Sequence, residues 1–183
     1  MSRNLIIASY KDFGNWIALN DTIMGGSSEA TCKLTSQGLV LDGKLIEEGG
    51  GFVSCQSPLY KPTLNLSGFC GFQLQLDGQG RTLKFAVACK GSFLGYKSFF
   101  GSGLRWVSTF PTKPEGKTII QIPFNKLKPT IRAKRVIPFT KFDPSSIYQI
   151  QLLYSKFGLP GEMNPGFKSG PIHLLLREVS SYA

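Results

Sequence analysis

Apolar residues recur at every second position over several short stretches of this chain. Phe72, Leu74 and Leu76 alternate with Gln73 and Gln75, and Leu83, Phe85, Val87 and Cys89 alternate with Thr82, Lys84, Ala86 and Ala88. Tyr148, Ile150 and Leu152 alternate with Gln149 and Gln151. A period of two places alternate side chains on opposite faces of a strand, so these stretches predict strands with one face buried and one wetter. Similar segments fall near 31–35, 38–45, 50–57, 69–76, 81–89, 104–110, 117–123, 147–154 and 171–180, separated by glycine and proline. That spacing predicts an antiparallel sandwich or barrel with little helix. A short helix is expected before Asn15, and another after Asp143-Pro144, where Asp143 would cap the first turn. There is no internal repeat, heptad or low-complexity tract, and residues 1–183 read as one all-β domain.

Composition sharpens this picture without changing it. The 183 residues are 42% hydrophobic with a mean hydropathy of -0.01, which excludes a disordered chain and a polytopic membrane protein. No apolar run approaches the roughly 18 residues of a spanning helix. The short run Leu5-Ile-Ile-Ala8 is too brief for a signal-peptide core, so export is not expected and the cytoplasm or an equivalent organelle interior is. Charge is more informative. Residues 1–77 carry 5 basic and 7 acidic side chains, 78–142 carry 13 and 1, and 143–183 carry 3 of each, so the middle section holds +12. Such a field favours polyanions or anionic surfaces as partners.

Catalytic and metal chemistry finds little support. Cys32, Cys55, Cys70 and Cys89 form no C-x-x-C pair, and the single His173 completes no usual zinc set. They are expected to be reduced and to pack as small hydrophobes. Glu47 and Glu48 are adjacent and would point to opposite faces of a strand, so they cannot flank one glycosidic bond. Gly49-Gly50-Gly51 lacks the Lys-Ser/Thr of a phosphate loop. His173 has no G-x-S-x-G elbow to serve. The chain is therefore read as a non-enzyme with no cofactor.

Three segments carry the remaining signal. Trp16-Ile-Ala-Leu-Asn20-Asp21-Thr22-Ile23-Met24-Gly25-Gly26-Ser27-Ser28 combines turn-forming Asn and Asp with two glycines able to adopt positive φ, and predicts an ordered, structural loop. Residues 91–103 hold Phe93, Tyr96, Lys97, Phe99 and Phe100 among four glycines, beside Lys90, Arg105 and Trp106. Aromatics interleaved with cations suit base stacking, sugar stacking or a protein anchor. Residues 126–141 add Lys126, Lys128, Arg132, Lys134, Arg135 and Lys141 with no acid. Tyr96, Lys97, Arg105, Trp106, Arg132, Lys134 and Arg135 are the expected partner-binding residues.

Trp16 followed by Asn20-Asp-Thr-Ile-Met-Gly-Gly-Ser-Ser28 resembles the opening motif of the complex I intermediate-associated protein 30 family. Gly49-Gly-Gly-Phe-Val-Ser54, Asp77-Gly-Gln-Gly-Arg81, Ile122-Pro-Phe124 with Pro129 and Arg132, and Leu174-Leu-Leu-Arg-Glu-Val179-Ser-Ser-Tyr182 resemble its later segments in the same order. Leu76 and Ala133 stand where that family usually has glycine. The resemblance runs from about residue 16 to the C-terminus. It implies a galactose-binding-like jelly roll and a chaperone or assembly factor for a membrane electron-transfer complex, with subunits of that complex as partners. RNA or another polyanion, a carbohydrate, and peripheral contact with a membrane remain open as further partners.

Overall fold

The protein is described by a computed structural model over residues 4–90, 103–131, 134–135 and 141–183. Among these residues it is an antiparallel jelly-roll sandwich of two sheets. The first sheet joins β3 (Glu29–Thr35), β4 (Gly38–Leu45), β13 (Gly170–Tyr182), β6 (Gly71–Asp77) and β9 (Thr118–Pro123) in that order. β1 (Asn4–Ala8) pairs with the C-terminal half of β13, beyond the part that β4 covers. The second sheet runs β11 (Lys134–Arg135), β10 (Lys128–Ile131), β8 (Arg105–Pro111), β7 (Thr82–Cys89), β12 (Ile147–Ser155), β5 (Phe52–Gln56) and β2 (Ile17–Asn20).

The period-two pattern builds the core. Leu83, Phe85, Val87 and Cys89 point inward from β7, and Phe72, Leu74 and Leu76 meet them from β6. Phe72 and Phe85 contact edge-to-face at 5.0 Å between ring centroids, joining the layers. Each such side chain contributes about 1.5–3 kcal/mol by leaving water.

All nine alternating segments form strands. The pattern missed β1, β2, β10 and β11, all too short to display a period of two; β1, β2 and β11 lie at sheet edges, and β10 joins β11 to β8. Phe13–Asn15 forms a single 3-10 turn. No helix follows Asp143-Pro144. The Asp143 carboxylate instead accepts from Ser145 N at 2.9 Å and closes a turn, because β12 begins three residues after Pro144.

Strand directions sort the connections into two ends. At one end β5, β7 and β9 finish and β6, β8 and β12 begin, bridged by segments 57–70, 124–127 and 141–146. The other end carries 21–28, 46–51, 78–81, 112–117 and 156–169.

Candidate interaction surface

The Trp16–Ser28 segment is organised around one buried carboxylate. Asp21 is 0% exposed. It accepts from Ser28 N at 2.9 Å, Ser28 Oγ at 2.7 Å, Gly51 N at 2.6 Å and Phe52 N at 3.3 Å. Burial pushes this carboxyl up, but the bonds from Ser28, Gly51 and Phe52 outweigh it and hold the group below its ordinary range. The glycines leave room for it. A Cβ on Gly26 would lie 2.4 Å from Asp21 Cγ, and one on Gly50 would lie 2.4 Å from Asp21 Oδ2. Gly25 alone in the pair takes a left-handed angle, φ 88°. Asn20 donates Nδ2 to Ala30 O at 2.9 Å, tying the second sheet to the first. Trp16 is buried edge-on against Phe13 at 5.2 Å. Met24 points outward and is 66% exposed.

The end where β7 finishes gathers cations. Lys11, Lys61, Lys90, Lys126, Lys134 and Lys141 are exposed there and Arg105 is half-buried. The described acids of this end are Asp12 and Asp143, and both are engaged in turns: Asp12 accepts from Ser9, and Asp143 from Ser145 and Ser146. Those bonds hold the Asp143 carboxyl low, Ser145 first. Two clefts open here. One, of about 380 Å³, is lined by Leu59, Tyr60, Lys61, Lys90 and Tyr148. The other, of about 580 Å³, is lined by Trp106, Phe124, Leu127, Lys141 and Phe142. Each is an apolar depression with lysine at its rim. The opposite end mixes signs, with Arg81, Lys113, Lys117 and Lys156 among Glu47, Asp77, Glu115 and Glu162; Lys156 Nζ lies 3.0 Å from Glu47 Oε1.

Of the expected binding residues, Arg105 donates to Tyr148 Oη at 3.4 Å and Gln149 Oε1 at 3.2 Å. Trp106 points inward, is 5% exposed and meets Phe142 edge-on at 5.7 Å, so the second cleft is its route to any ligand. Lys134 is exposed and Arg135 lies beside it on β11. Tyr96, Lys97 and Arg132 lie outside the described residues, as does nearly all of the 91–103 segment. Lys61 and Lys11 were not singled out by sequence; a local charge run cannot register cations that arrive from separate connections.

The outward face of the second sheet is different in character. Between Phe52 and Tyr148 its described side chains are aliphatic or polar, including Ser54, Lys84, Ala86, Val107 and Gln151. Gln151 Nε2 donates to Ser54 Oγ at 2.8 Å. Lys84 is 9% exposed with no hydrogen-bond or ion-pair partner among the described residues, and burial lowers its pKa to about 8. His173 is exposed and bonds Asp42 at 2.9 Å. Among the described residues no group of His, Cys, Asp and Glu could hold a metal ion, and no helix is long and apolar enough to cross a membrane.

Comparison with known proteins places this geometry. The family 11 carbohydrate-binding module of the cellulosomal cellulase Lic26A-Cel5E of Clostridium thermocellum superposes with a TM-score of 0.68 at 16% identity, covering 98% of this chain and 94% of that one. A family 11 module from the same organism, in complex with a beta-1,3-1,4-mixed-linked tetrasaccharide, gives 0.67 at 16% identity over 97% and 94%. The agarase AgWH50C gives 0.56 at 11% identity over 97% of this chain and 24% of the enzyme. At these identities the likeness establishes the fold. No curated protein matches the chain. A family model described as complex I intermediate-associated protein 30 matches residues 6–176.

Proposed function

The chain belongs to the complex I intermediate-associated protein 30 family, and we propose that it works in assembly without catalysis, its basic end holding an incomplete subunit or subcomplex of a membrane electron-transfer complex until permanent partners arrive. One observation carries this reading: exposed lysines from five separate connections converge on the end that also holds two apolar clefts, while the opposite end is mixed in sign. The division of labour follows from physics. A positive field speeds encounter with an acidic surface, and apolar side chains seated in the clefts slow departure.

The carbohydrate reading has the fold in its favour, but the outward face of the second sheet lacks a run of exposed aromatics among the described residues, which sugar rings need for stacking. The test is affinity capture from membranes of the native source, with the intact chain and a Lys61→Glu/Lys90→Glu/Lys141→Glu variant, read by mass spectrometry. Subunits of one electron-transfer complex should be recovered with the intact chain and lost with the variant. Recovery of RNA-binding proteins and RNA instead, or equal recovery by both chains, would overturn the proposal.

A further inference from the structure

Cys32 on β3 and Cys55 on β5 stand on different sheets, yet both face the core between them, Cys32 packed against the cluster that contains Cys55. The strands explain why. The bond from Asn20 Nδ2 to Ala30 O, at 2.9 Å, brings β3 across the β2 edge of the second sheet. Ala18 lies two residues before Asn20 and pairs with Cys55, and Cys32 lies two residues after Ala30. Steps of two keep a side chain on the same face, so Ala18, Cys55 and Cys32 meet between the sheets. Here β3 and β5 approach to Cα separations of 8 Å or less, nearer than the roughly 10 Å between ordinary packed sheets. Cys55 is 1% exposed, whereas Cys32 is only partly buried.

We propose that Cys32 and Cys55 are a redox-active dithiol that an external disulfide oxidises to a bond between the two sheets. The Cys32 thiolate attacks one sulfur of the external disulfide, forming a mixed disulfide and releasing the first thiolate. Cys55 then loses its proton and attacks Cys32 Sγ, closing the internal bond and releasing the second thiolate. The two protons given up by the cysteines end on the released thiols. Two electrons pass from the protein to the external disulfide. The environments assign the roles: the hydrogen bond from Cys55 lowers the reachable Cys32 thiol, and the same contact together with burial raises Cys55, so Cys32 is the attacking sulfur and Cys55 the resolving one.

The test uses the chain with Cys70→Ser, which removes the exposed thiol and leaves three cysteines. Reduced protein is equilibrated with glutathione disulfide and glutathione at rising ratios, quenched in acid, denatured, labelled with a maleimide and weighed intact. Three labels should fall to one, with no glutathione retained. Adding Cys55→Ser or Cys55→Ala should trap glutathione on Cys32, and adding Cys32→Ser should leave two labels at every ratio. The oxidised chain should melt roughly 5–10 °C above the reduced one, as a bridge closing a loop of this length does. Three labels at every ratio, or glutathione held on Cys32 while Cys55 is present, would overturn the proposal. The label count on the Cys70→Ser chain decides this whether or not the further variants fold.

Discussion

Replacing Asp21 with Ala should be among the most damaging single changes in the protein. The carboxylate collects four hydrogen bonds at full burial. Its removal strands the amides of Ser28 and Gly51 away from water, while Ser28 Oγ retains Ile46 O at 3.1 Å. An unsatisfied buried donor costs about 1–3 kcal/mol, so two give about 2–6 kcal/mol, a large share of the 5–15 kcal/mol typical of a whole domain. For a chain of this size that is a drop in melting temperature of about 10 °C. Asp21→Asn keeps the shape but turns an amide donor toward other donors, and should lose a similar fraction. The acid limb separates charge from shape. Because the folded pKa is depressed, the stabilisation is fully present above the unfolded value of about 3.9 and is lost as pH falls through the folded one. Thermal melts from pH 7 to pH 2 should therefore show wild type converging on Asp21→Asn at low pH. A melting temperature for Asp21→Ala within about 1 °C of wild type, or parallel acid limbs for wild type and Asp21→Asn, would refute the cage.

Two further outcomes follow from the same structure. Gly26→Ala and Gly50→Ala should each lower the melting temperature, since their Cβ atoms would fall 2.4 Å from the Asp21 carboxylate, while Gly68→Ala, with nothing within 4 Å, should not. Lys84→Met should raise stability at pH 7 by about 2 kcal/mol, because a buried ammonium with pKa near 8 disfavours folding wherever the unfolded chain holds that proton. That gain should shrink as pH rises from 8 toward 10, as followed by denaturant melts.

The sheet layers were legible because their strands bury one face, and a period of two records that directly. The Asp21 cage was only half legible. Asn-Asp followed by Gly-Gly announces a tight loop, but Gly26 is required for room and not for its backbone angle, and Gly50 serves the same carboxylate from a distant part of the chain. Sequence offers no signal for two glycines sharing one neighbour. The charge count misled in a similar way. It assigned the basic surface to residues 78–142, whereas Arg81, Lys113 and Lys117 of that stretch stand at the opposite end and Lys11 and Lys61 join from outside it. Antiparallel strands return the chain to the same end every second connection, so cations cluster by strand end and not by proximity in sequence.

Capture of the client by the basic end is read from association rates against the captured subunit, measured by surface plasmon resonance at several salt concentrations. Lys61→Ala/Lys90→Ala/Lys141→Ala should slow association about tenfold at low salt and flatten its salt dependence, because screening shortens from about 10 Å at 0.1 M to about 3 Å at 1 M. The matched set Lys113→Ala/Lys117→Ala/Lys156→Ala at the opposite end should leave both unchanged. Equal effects from the two sets, or no change in association from the first, would contradict the account.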